Sequence, residues 1–155
     1  MRKVFISLAA IAAATAATPA LANEARVEAR GGVVFGQGDS EGVAGVAAGY
    51  DWNLGKTTFV GVEVSGDKIL DDDTRVMFGF TGRAGIDAGR GAKFYVNGGY
   101  STKPCGGCED SIHAGAGLEL GLTERIYGKA EYRHFFVDDG SPDFDSVVAG
   151  IGIRF

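Results

Sequence analysis

One feature constrains this chain more than any other: after residue 23, apolar residues recur at every second position, and the pattern returns eight times. A period of two is that of a β-strand with two unlike faces. The segments run over about 26–36, 42–53, 57–66, 74–87, 92–101, 111–122, 126–137 and 145–155. The last is the clearest: Val147, Ala149, Ile151, Ile153 and Phe155 share one face, and Val148, Gly150, Gly152 and Arg154 the other. The sixth sets Ala114, Ala116, Leu118 and Leu120 against Gly115, Gly117, Glu119 and Gly121. The third sets Val60, Val62 and Val64 against Gly61, Glu63 and Ser65. No segment after Asn23 carries a helical period.

The contents of the two faces decide the environment. One face is aliphatic and aromatic with almost no charge. The other mixes glycine with charges of both signs. In a soluble sandwich the polar face would meet water, and glycine there only weakens strands. In a small membrane barrel the arrangement inverts: the apolar face meets lipid and the polar face turns inward. An eight-stranded barrel has a lumen just filled by side chains, so glycines make room for long charged ones. The chain has 26 glycines, far above the ~7% of ordinary domains. Each segment is close to the ~9–11 residues of a tilted membrane-crossing strand. The expectation is an all-β fold, an eight-stranded antiparallel up-and-down transmembrane β-barrel.

The connections agree. Those at 54–56, 88–91 and 123–125 are short, and those at 37–41, 67–73, 101–110 and 138–144 are longer. Short periplasmic turns alternating with longer outer loops is the pattern of such barrels. Pro104 and Pro142 fall in outer loops, where they interrupt no strand ladder. Tyr50 and Trp52, Phe155, and Phe135 with Phe136 sit near strand ends, as interfacial aromatic girdles do.

The beginning of the chain sets the compartment. Arg2 and Lys3 precede an apolar, alanine-rich stretch, and Ala20-Leu21-Ala22 is a small-x-small cleavage site. This reads as a signal peptide over 1–22, leaving 23–155 as one barrel domain in the cell outer membrane. The apolar run is too short for a transmembrane anchor. The whole chain has net charge −5, and losing Arg2 and Lys3 makes the remainder more acidic. Such a chain repels phosphate backbones, so nucleic acid is not an expected partner.

Three sequences carry a resemblance. Residues 114–123 (AGAGLELGLT), Lys129-Ala130-Glu131-Tyr132-Arg133 and Gly150-Ile151-Gly152-Ile153-Arg154-Phe155 resemble the C-terminal half of small outer-membrane β-barrel proteins. These are the porin family, with its opacity-type and OmpA-transmembrane-like surface proteins. Residues 45–53 (GVAAGYDWN) and 60–64 (VGVEV) are similar to that family's second and third strands. The resemblance implies that Phe155 is the C-terminal signal read by the outer-membrane insertion machinery.

Candidate sites follow from the faces. Glu28, Arg30, Glu63, Arg83, Glu119, Lys129, Glu131 and Arg133 share the glycine-rich side, and buried charges must pair or stay hydrated. The reading is a mutually neutralising plug; the alternative is a narrow porin-like channel. The acidic outer loops, with Asp71-Asp72-Asp73, Asp138-Asp139 and Asp143, form a solvated rim without the spacing of a calcium loop. Cys105 and Cys108 lack the further ligands or the βαβ setting that metal or redox roles require, and read as a loop disulfide or spare thiols. His113 and His134 belong to no recognisable nucleophile motif. No enzymatic activity, cofactor or metal is therefore expected. The expected role is structural or at the cell surface, among outer-membrane lipids and lipopolysaccharide, with an adhesin or ligand-binding surface on the outer loops as a further alternative.

Overall fold

The computed structural model describes residues 23–36, 38–137 and 142–155. The segment read as a signal peptide, together with residue 37 and residues 138–141, among them Asp138 and Asp139, lies outside them. Eight strands make up the described chain: β1 (Glu24–Gly36), β2 (Asp39–Asn53), β3 (Thr58–Ile69), β4 (Val76–Asp87), β5 (Ala92–Ser101), β6 (Ser111–Gly121), β7 (Ile126–Val137) and β8 (Phe144–Arg154). Each pairs antiparallel with its neighbours in sequence, and β8 returns to β1 to close a barrel. Closure leaves no sheet edge, the condition for strands to cross a bilayer with every backbone group paired.

The two faces separate as alternation requires. Along β4 and β7, buried and exposed positions alternate with few exceptions. Val96 is 63% exposed and Ile151 57%, while Glu63 is 3% exposed and Glu119 fully buried. The apolar residues form the outer belt, and the centre is charged.

Lumenal glycines sit where a neighbour needs their space. A methyl on Gly61 would overlap the Asp51 carboxylate, and one on Gly45 the carboxylate of Asp67. Methyls on Gly117 and Gly152 would overlap the rings of Tyr95 and Tyr127. Backbone freedom matters at the 88–91 turn, where Gly89, Arg90 and Gly91 all have positive φ, at 77°, 55° and 77°. Two of these three positions are glycine, the residue that adopts this region without steric cost.

The structure corrects three expectations. The first outer connection is not a longer loop at 37–41: β1 and β2 pair up to Gly36 and Asp39, so only 37–38 join them. Gly38, with φ 96°, permits this tight hairpin. Asp67 does not open the second outer loop. β3 continues to Ile69 and turns the Asp67 side chain into the lumen. Phe135 is not part of the aromatic girdle either. It points inward, 2% exposed, stacked on Phe144 with ring centroids 4.4 Å apart. Its neighbour Phe136 faces outward, 50% exposed.

Both ends of the described chain meet at the barrel end that carries the short turns, where Ala25 and Phe155 exchange backbone hydrogen bonds of 2.8 and 3.3 Å. The opposite end carries the 70–75 and 102–110 loops.

Candidate functional site

The candidate site is the lumen itself. Every strand contributes inward residues at a period of two, so facing strands bring charges of distant sequence together. Twelve charged side chains are buried there: Arg26, Arg30, Arg83, Lys93, Lys129 and Arg133 against Glu28, Asp51, Glu63, Asp67, Glu119 and Glu131. Six cations meet six anions.

Glu63 is the hub. Its carboxylate accepts from Arg26 at 2.7 Å, Arg133 at 2.8 Å, Arg30 at 3.0 Å and Lys129 at 3.3 Å. Glu63 sits on β3, and its partners come from β1 and β7. Toward the loops, Arg30 forks onto Asp67 through two nitrogens, at 2.8 and 2.5 Å, and the Ser65 hydroxyl donates to the same carboxylate at 3.0 Å. Glu131 pairs with Arg133 at 2.5 Å and accepts from the Tyr95 hydroxyl at 2.6 Å. Glu28 pairs closely with Lys129 and accepts from the Tyr127 hydroxyl at 2.9 Å.

Toward the turns, Arg83 binds both Asp51 oxygens and reaches Glu119. Its guanidinium also lies over the Tyr95 ring, 4.8 Å from the centroid. Lys93 joins Asp51 at 3.4 Å to Glu24 at 2.7 Å, and Glu24 meets Arg154 at 3.3 Å. Bidentate arginine forks of this kind are the strongest ion-pair geometry available to a protein.

The eight charges read from the sequence therefore lie in one connected network. Four more buried charges belong to it, Arg26, Asp51, Asp67 and Lys93, and the partly buried Glu24 and Arg154 extend it at the turn end. Each lies on the inward parity of its strand, and following that parity one step beyond Glu28 or Ser65 would have found Arg26 and Asp67. His113 also lies inward, hydrogen-bonded to Thr81 Oγ1 and Ser101 Oγ at 3.0 Å each, with Phe135 against its ring.

Above the charges, toward the outer loops, Val34, Val43 and Val148 pack with Ile69 into an apolar collar. The void left between this collar and Arg30, Asp67 and Arg133 is about 20 Å³, close to the space of a single water molecule.

The other candidates lie elsewhere. Cys105 and Cys108 form a disulfide, Cα–Cα 5.0 Å, within the 102–110 loop. Asp71, Asp72 and Asp73 are exposed on the 70–75 loop. His134 faces outward near the outer end, with Nδ1 2.8 Å from Asp145 and Nε2 3.7 Å from Asp143. Phe155, 66% exposed, lies at the opposite end.

A closed eight-stranded barrel with an apolar exterior and a charged interior defines a class, the small outer-membrane β-barrels. Residues 6–155 match the outer membrane protein beta-barrel domain, and the chain belongs to that family. No curated protein matches the sequence. Solved structures do. The N-terminal β-barrel domain of Pseudomonas aeruginosa OprF is similar with a TM-score of 0.61 at 18% identity, over 85% of this chain and 97% of that one. Neisserial surface protein A is similar with a TM-score of 0.55 at 15% identity, over 86% and 97%. Ail, the attachment invasion locus protein of Yersinia pestis, gives 0.56 at 15% identity, over 86% and 97%. Ail is also known in complex with the heparin analogue sucrose octasulfate. At these identities the likeness is one of fold.

Proposed function

We propose that this protein is a structural barrel of the outer-membrane surface whose lumen is closed by its own ion pairs. The observation that supports this reading is the balance of six buried cations against six buried anions, with about 20 Å³ of free space at the outer end of the network. A permeating ion would have to separate pairs whose members are uncompensated once parted, at several kcal/mol each. The apolar collar adds a second barrier, since such constrictions exclude water.

The same observation weighs against the narrow porin-like channel. Purified protein in planar bilayers is expected to give no unitary conductance at any voltage. Stable steps that disappear in Glu131→Gln or Arg133→Met would establish a gated pore instead.

An adhesin role through the outer loops is the other reading. Ail binds a polysulfated sugar analogue, but the outer end here presents Asp39, Glu41, Glu109 and Asp143 around its opening, which repel polyanions. Grafting the 70–75 and 102–110 loops onto a non-adhesive barrel and measuring cell attachment tests it. No catalytic role is assigned. Unchanged lipid A mass on overexpression is the expected result.

Partners follow from the surface. Lipid acyl chains cover the apolar belt, and lipopolysaccharide surrounds the outer end. The insertion machinery reads Phe155. Export removes 1–22, so the intact mass of the membrane-bound protein is expected to correspond to a chain starting at Asn23.

A further inference from the structure

The outer end of the barrel holds a cavity that the closed lumen does not account for. Above the collar the strands continue, and their inward positions line a vestibule of about 450 Å³, within the range of small-molecule sites. Val34, Ile69, Val137 and Phe144 give it an apolar floor, and Pro104 and Gly107 of the disulfide loop form part of its wall. The collar and the 20 Å³ void beneath it make the vestibule blind. It is a pocket rather than the mouth of a path.

Its charged groups are all of one sign. Asp39, Glu41, Glu109 and Asp143 line it, and among the described residues no lysine or arginine does. The lumenal charges below do not offset these carboxylates, because six cations and six anions already cancel there. Two cations stand nearby outside the lining: Lys68, whose ammonium caps the carbonyls of Asp71 and Thr74 at 3.1 and 3.0 Å, and Arg75, whose guanidinium lies beside Gly106 on the disulfide loop. Asp143 already accepts from the Val137 N–H at 2.9 Å and lies 3.7 Å from His134, which leaves Asp39, Glu41 and Glu109 to meet a ligand. An apolar cavity rimmed by these carboxylates complements one kind of ligand, an apolar body bearing a cation.

The geometry points to a binding site for small amphiphilic organic cations in this vestibule, with an aromatic or aliphatic body against Phe144, Ile69 and Val137 and an ammonium group among the rim carboxylates. The negative field raises the local concentration of such cations at the surface, and the apolar floor retains those with hydrophobic bodies.

The test uses three indole probes of nearly equal size at pH 7: tryptamine as the cation, tryptophol as the neutral form and indole-3-propionate as the anion. Full-length barrel in nanodiscs of zwitterionic lipid is titrated with each, and amide NMR shifts are followed. Tryptamine is expected to bind saturably at the lining residues and at least tenfold more tightly than indole-3-propionate. Glu41→Gln with Glu109→Gln is expected to weaken tryptamine about tenfold, the combined effect of two partly solvated charges. Gly107→Trp is expected to abolish binding by filling the cavity. A Cβ at Gly107 meets nothing within 4 Å, so the loop accepts the side chain, and unchanged heat-modifiable gel migration verifies folding of each variant. Equal binding of the three probes, or binding that persists in Gly107→Trp, would overturn the assignment. So would an equal loss on converting Asp71, Asp72 and Asp73 to asparagine, which would reduce the effect to general surface charge.

Discussion

Glu63→Gln probes the charged lumen most sharply. Glutamine keeps the side chain's shape and one acceptor oxygen but removes the charge. The interior then holds six cations over five anions, and the four cations within 3.3 Å of position 63 lose their common partner. Removing one member of a buried pair costs ~3–5 kcal/mol. With Glu63 only 3% exposed, solvent screening is slight, and we expect about 4 kcal/mol. A second change separates charge imbalance from simple loss of contacts. Arg133→Met removes the surplus cation, so Glu63→Gln with Arg133→Met should cost less than the sum of the single changes by roughly 2 kcal/mol, within the range of contacting pairs. Urea unfolding in phospholipid vesicles, followed through the single tryptophan, Trp52, supplies the energies. A loss below about 1 kcal/mol for Glu63→Gln, or strict additivity in the double variant, would refute the view of the lumen as one neutralised network.

Other outcomes test separate parts of the account. Gly117→Ala should push the Tyr95 ring off Glu131 and cost about 1–3 kcal/mol by overpacking, read by the same unfolding assay; a neutral result would show the lumen to be loosely packed. Ile151→Arg should cost ~2–4 kcal/mol as a charge on the lipid face, whereas a soluble sandwich would show no dependence on lipid. Phe155→Ala should slow assembly into vesicles that contain the insertion machinery while leaving the unfolding free energy of assembled protein nearly unchanged; equal assembly rates would remove the signal role. The Tyr100 hydroxyl, at 2.5 Å, and the Lys103 N–H, at 2.8 Å, hold the Asp110 carboxyl below the usual carboxylate range. Tyr100→Phe should therefore raise the Asp110 titration midpoint by NMR. The stabilisation this contact gives is present above the unfolded carboxylate's pKa and is lost as pH falls through the depressed folded one.

The faces were legible because parity is local. Ile151 and Gly152 declare opposite sides of β8 with no knowledge of any other strand, and glycine opposite a charge marks the inner one. The partners were not legible. Glu63 meets Arg133 across 70 residues, and Arg83 meets Glu119 across 36, and those meetings depend on strand register and barrel closure. Asp67 is obscured for a different reason: Gly66 resembles a strand terminus, yet it is an outward-facing residue in mid-ladder, paired with Val46 and Phe78. The start of β2 is hidden because polar Asp39 and Ser40 look like loop residues, although the ladder continues through both. The apolar collar and the vestibule belong to the same group, since no single strand contains enough of either to reveal it.

The claim on which everything rests is the orientation of the two faces, and adjacent valines on β8 report it without mutation. In nanodiscs, the methyls of Val147, with those of Val96 and Ile151, should show nuclear Overhauser contacts to lipid acyl protons. The methyls of Val148, Val34 and Val43 should show none. The reverse pattern, with Val148 against lipid and Val147 screened from it, would contradict the account.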